Sequence, residues 1–111
     1  MNIKKYRHEL VLQLRETRDA RLRNELSNKI GFISAYINGE KAIKRYRDRA
    51  ISAEIGKTHD KDAQLAILFN KEAEPEEYEA YQALRAECKA RVDAKMAKLK
   101  AELEATLGIG S

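Results

Sequence analysis

The chain is poor in the residues that staple, kink or flatten a fold. Its 111 residues contain one cysteine, one proline and no tryptophan, and aromatics make up only 6%. With Cys88 alone, neither a disulfide framework nor a cysteine-based zinc site can form within one chain. A single proline, Pro75, removes the usual breaker of helices. No stretch reaches the roughly 18 uninterrupted apolar residues of a transmembrane span. Lys4, Lys5, Arg7 and Glu9 stand where a signal peptide would carry its apolar run, so a cytoplasmic location is expected.

The residues in supply are helix formers. Charged side chains reach 36% and apolar ones 43%, enough apolar content for a folded chain, with the Ala, Leu, Glu, Lys and Arg bias of helical proteins. A length of 111 residues fits a single helical domain, 1–111. The net charge of +4 is unevenly spread. Residues 1–50 carry thirteen Lys/Arg against six Asp/Glu, and residues 51–111 carry nine against twelve.

Periodicity and punctuation predict an all-α fold: an elongated helical hairpin or bundle of about four helices, with long first and last helices. The first runs from Ile3 to Ile37 and stops at Asn38-Gly39. That dipeptide is also a hairpin signal, but the helical spacing of the residues after it argues against strands. Within this segment Ile3, Tyr6, Leu10 and Leu14 line one face. Leu22, Leu26, Ile30, Ile33 and Ile37 line another, about 160° around the helix. Either the helix breaks between residues 15 and 21, or one continuous helix meets different partners at its two ends. The i,i+4 pairs Arg15–Asp19, Asp19–Arg23 and Arg21–Glu25 favour continuity. From Ile30 to Ile37 the helix is apolar almost all round, which reads as core. Contact with another chain is the alternative, and it makes Phe32 and Tyr36 candidate partner-binding residues.

A second helix spans Glu40 to Ile55, with Gly56 in the place of a C′ glycine. Its expected apolar face is Ile43, Tyr46, Ala50 and Ala53, with Ile51 and Ile55 at the edge. Lys41, Arg45 and Arg49 recur every four residues on its opposite side, as a solvated face or as a contact for phosphates. A short third helix is expected over Lys61 to Lys71, capped by Thr58 or Asp60, with Leu65, Leu68 and Phe69 buried. The last helix starts at Pro75, where proline and the following glutamates suit the first turn, and stops at Gly108. Its apolar residues follow an eleven-residue spacing, Tyr81/Val92/Leu103, Cys88/Leu99 and Met96/Leu107. Opposite them runs a stripe of alanines, Ala83, Ala86, Ala90, Ala94, Ala97, Ala101 and Ala105. High helix propensity on an exposed face explains the stripe. The alternative is a close-packed seam, homo-oligomeric contact included, centred on Ala94 and Ala97.

Sites of chemistry are scarce. His8, His59 and Cys88 are far apart in sequence, and His59 beside Asp60 and Asp62 reads as a capping loop. Gly56-Lys57-Thr58 matches the end of a phosphate loop, but Ile51 stands where its first glycine should be. Residues 50–70 have the order of a helix-turn-helix, yet Asp62 falls at an inward position that should be apolar. No catalytic residue, metal or cofactor is expected, and no membrane partner. The expectation is a non-enzymatic helical protein-binding module, acting as an inhibitor, adaptor or assembly factor. The alternative is a nucleic-acid-binding accessory protein that uses its basic N-terminal half.

Overall fold

A computed structural model describes residues 2–108 of the chain. Five helices account for 86% of these residues, and no strand occurs among them. They are α1 (Ile3–Glu16), α2 (Ala20–Asn38), α3 (Glu40–Gly56), α4 (Lys61–Phe69) and α5 (Pro75–Leu107). The long last helix is present, starting at Pro75 and stopping before Gly108, whose φ of 72° takes the left-handed conformation of a helix terminator.

The long first helix is not continuous, which raises the helix number from four to five. It ends at Glu16, and Thr17 turns into extended backbone. Two residues later Asp19 caps a new helix by accepting from the Leu22 amide at 3.0 Å. Arg23 then reaches back, donating to the carbonyls of Leu14 and Thr17 at 2.8 Å each, and so satisfies acceptors that the end of α1 leaves open. Of the three ion pairs that favoured continuity only Arg21–Glu25 forms, at 3.9 Å. The break also explains the displaced stripe. Once the chain folds back, the two faces that lay about 160° apart can join one core.

The described residues cluster into two compact units. The first comprises residues 2–46 with residues 96–108. Leu10 of α1, Leu26, Phe32 and Ile33 of α2, and Leu103 of α5 form its buried centre, with Tyr6, Leu14, Tyr46 and Leu99 packed around them. Arg7 bridges α1 to α2 by donating to Ser34 Oγ at 3.3 Å. Tyr46 meets Phe32 edge-on, with ring centroids 5.7 Å apart, and its hydroxyl donates to the Asn28 carbonyl at 3.3 Å. Burial raises the pKa of that phenol. Leu22, expected on the α2 stripe, is 45% exposed, because it lies in the first turn.

The second unit comprises residues 47–95. Its buried apolar residues are Ile51 and Ile55 of α3, Ile67 of α4, and Tyr81, Cys88 and Val92 of α5. The eleven-residue stripe is therefore inward-facing at Tyr81, Val92 and Leu103, and Cys88 is fully buried. Gly56 is not a left-handed C′ residue. It is the last residue of α3, and the helix unwinds through tight bonds from the amides of Lys57 to Glu54 and of Thr58 to Ile55. Gly39, at φ 101°, does terminate α2 as expected.

Candidate functional site

The second unit carries the two most exposed large apolar side chains of the described residues, Leu65 and Phe69, on the short helix α4 with Leu68 beside them, while Leu12 and Leu22 are exposed singly in the first unit. Asp60 starts this helix by accepting from the Ala63 amide at 2.7 Å, the cap expected from the sequence. The expected burial of Leu65, Leu68 and Phe69 is overturned: they are 51%, 43% and 84% exposed. The inward face of α4 is instead set by Ile67, which is buried, and by Gln64. Gln64 accepts a hydrogen bond from the Tyr81 hydroxyl at 2.7 Å and donates to the His59 carbonyl at 3.0 Å. Leu65 and Phe69 lie about 200° from Ile67 around the helix, so burying Ile67 turns them outward.

Beside this ridge lies an open groove of about 830 Å³. Ile51, Ile55 and Tyr81 give it an apolar floor, and Lys61, Gln64 and Leu68 line its α4 side. Leu68 thus belongs to both ridge and groove. Arg47 and Asp48 from α3 and Arg85 and Lys89 from α5 stand on its rim, with Asp60 at one end. Arg85 places its guanidinium 5.9 Å from the Tyr81 ring centroid, within cation–π range. His59 also packs against this ring, tilted and with 5.6 Å between centroids, and its Nδ1 is 2.9 Å from the Thr58 hydroxyl.

Two ionic clusters tie α3 to α5 within this unit. Arg47 binds Asp93 through two parallel bonds of 2.7 and 3.1 Å. The bond from Arg47 holds the Asp93 carboxyl below its ordinary pKa and raises that of the guanidinium. Glu54, whose side chain is only 13% exposed, meets Lys57 at 3.0 Å, Lys95 at 3.3 Å and Arg91 at 3.9 Å. Its carboxyl is also held low, first by the hydrogen bond from Lys57, against an opposing push from burial.

The residues singled out in the sequence lie elsewhere. Phe32 is 3% exposed and belongs to the core of the first unit, so it offers no surface to a partner. Tyr36 is half-buried against it, with centroids 6.5 Å apart. Lys41, Arg45 and Arg49 are exposed on α3 and form no ion pair among the described residues. Ala94 and Ala97 are exposed on α5, as are the other alanines of the stripe. None of these lines the groove. The nine residues of α4 hold four large apolar side chains, Leu65, Ile67, Leu68 and Phe69, more than one face of so short a helix can bury.

No three His, Cys, Asp or Glu side chains group to hold a metal among the described residues, and no helix there is long and apolar enough to cross a membrane. Comparison with protein-family models, curated proteins and solved structures finds no match to the chain.

Proposed function

We propose that the protein is a non-enzymatic helical protein-binding module, an inhibitor, adaptor or assembly factor, and that the α4 ridge is its contact surface. One observation carries this reading: Leu65, Leu68 and Phe69 stand exposed together at i, i+3 and i+4 beside a groove with an apolar floor. A contiguous apolar patch rimmed by charge is the usual form of a protein contact site. Phe69, at 84% exposure, is the anchor that gains most from burial.

The test compares the tagged chain with a Phe69→Glu variant in lysate of the cells that produce it, with and without nuclease. Proteins retained by the wild type after nuclease, and lost by a variant of unchanged circular dichroism, support the reading. Recovery indifferent to Phe69→Glu would sink it.

A second reading, a nucleic-acid-binding accessory protein, is favoured by the charge of the first unit and by the unpaired cations of α3. The sequence segments of that unit carry thirteen Lys/Arg against seven Asp/Glu, a net +6. If Lys41, Arg45 and Arg49 each neutralise one phosphate, log K for duplex DNA falls with log[salt] at a slope near −3, from about −0.9 per phosphate. Combining Lys41→Glu, Arg45→Glu and Arg49→Glu then abolishes the binding without unfolding the chain. Salt-resistant binding lost in that triple variant would place this reading first.

A further inference from the structure

We infer that α4 is a strap along the groove, opening and closing as one unit about the connectors at residues 57–60 and 70–74 while α3 and α5 stay packed together. The inference does not depend on what the ridge contacts. Its basis is how little holds α4 in place. Of its nine residues only Ile67 is buried, Ala63 and Gln64 are half-buried, and the rest are exposed. Among the described residues no ion pair ties α4 to another element. Its one hydrogen bond to another helix is the one that Gln64 accepts from Tyr81. Its bonds to the Asp60 carboxylate and the His59 carbonyl stay within the adjoining connector.

The connectors restrain it little. In the first, only His59 is half-buried, where it packs against the Tyr81 ring. The second is exposed throughout, and its Lys71 Nζ lies 6.0 Å from the Tyr78 ring centroid, at the limit of cation–π range. The neighbouring helices are held far better. Ile51 and Ile55 of α3 and Cys88 and Val92 of α5 are buried. The Arg47–Asp93 and Glu54–Lys95 pairs join the same two helices at 2.7 and 3.3 Å.

A nine-residue helix is too short to persist alone, since isolated helices below about 12–15 residues are marginal in water. α4 therefore exists only while Ile67 is seated, and loss of that seat releases the whole element at once. The Tyr81 hydroxyl opposes release only weakly, because water replaces Gln64 as its partner. Elements with few buried apolar side chains open well below the free energy of global unfolding. Opening removes Lys61, Gln64 and Leu68, which line one side of the groove, and leaves its floor of Ile51, Ile55 and Tyr81 uncovered on that side. The strap thus sets the width of the groove and the access to its floor.

Native-state hydrogen exchange of the full chain, followed amide by amide in urea below the unfolding transition, tests this. The amides of Leu65, Ile67 and Leu68 are expected to be at least about tenfold less protected than those of Cys88 and Val92. Their protection should hardly change with urea, because opening α4 exposes little surface. That of Cys88 and Val92 should fall steeply, as for global unfolding. Ile67→Glu places a charge at the one buried position of α4 and so holds the strap open. In that variant the α4 amides exchange as in an unfolded chain. Those of Cys88 and Val92 stay protected, reduced by no more than the factor by which α4 is protected in the wild type, since only the free energy of closing is lost. Equal protection and equal urea dependence of α4 and α5 in the wild type would make α4 part of the cooperative core and overturn the inference. So would an Ile67→Glu variant whose α4 stays protected, or whose α5 loses more than that factor.

Discussion

The phenol of Tyr81 donates to Oε1 of Gln64 across 2.7 Å, and this bond joins the buried stripe of α5 to the inward face of α4. Tyr81 is itself only 5% exposed, so its hydroxyl depends on that acceptor. Tyr81→Phe removes the donor while keeping the ring under Arg85 and beside His59. The expected cost is about 1 kcal/mol, the usual worth of a partly buried neutral hydrogen bond. Urea unfolding gives the total, and amide exchange should show the loss concentrated in α4. Uniform loss across the chain would mean that the bond does not set the seating of that helix.

The break between α1 and α2 depends on Asp19 as a cap. Asp19→Ala leaves the Leu22 amide without its acceptor and should cost about 1 kcal/mol, whereas Asp19→Asn keeps a cap of similar quality and should cost a few tenths at most. Thermal unfolding of the two variants separates capping from simple loss of charge. Equal destabilisation by both would assign the effect to charge alone.

What could be read from the sequence, and what could not, follows from which residues act in more than one way. Pro75 and Gly108 have few structural alternatives, Asn38-Gly39 is resolved by the helical spacing that follows it, and each ends or starts a helix where expected. The repeat Tyr81/Val92/Leu103 extends over six turns, long enough for its period to be unambiguous, and all three residues are buried. Asp19 is different. The same carboxylate can support a continuous helix through i,i+4 pairs or begin a new one as a cap, and local spacing does not choose between them. The choice is made by tertiary packing, which gains a joint core for the two displaced stripes. In α4 the ambiguity is one of rotation. Nine residues make two and a half turns, and side-chain size pointed to Leu65, Leu68 and Phe69 as the buried set. Gln64 and Ile67 won that position because Tyr81 requires an acceptor, a demand that originates seventeen residues downstream. The exposure of the α4 ridge could not be read locally for this reason.

Acid should weaken the second unit through Glu54. Its carboxyl is held below the ordinary glutamate value of about 4.3, chiefly by the hydrogen bond from Lys57 and with help from Lys95. A depressed folded-state pKa contributes stability that is complete above the unfolded value and is lost as pH falls through the folded one. Glu54→Gln should therefore lower stability at neutral pH by up to about 1 kcal/mol, as for an ionic network whose cations are largely exposed to solvent. The gap to the wild type should close once both are measured below the folded pKa. Urea midpoints at neutral pH and in acid test this, and a gap that stays constant would assign the effect of Glu54 to packing.

Gly31 offers a gain in stability with a sharp limit. It lies inside α2, where glycine costs about 1 kcal/mol relative to alanine. A Cβ built there would sit 3.4 Å from Cε2 and 3.9 Å from Cδ2 of Tyr46, ordinary van der Waals contact with an aromatic ring. Gly31→Ala should therefore stabilise the chain by about 0.5–1 kcal/mol. Gly31→Val adds methyl groups toward a ring that has little freedom to retreat. That ring meets Phe32 edge-on at 5.7 Å, and its hydroxyl is tied to the Asn28 carbonyl. Moving it would disturb both contacts, at a cost of about 1–3 kcal/mol for overpacking. Urea denaturation should thus order the three proteins alanine, glycine, valine. If alanine also destabilises, the ring stands closer to α2 than 3.4 Å and glycine is there to admit it. If valine matches alanine, the Tyr46 ring is free to swing, and its contact with Phe32 contributes little to holding α3 against α2.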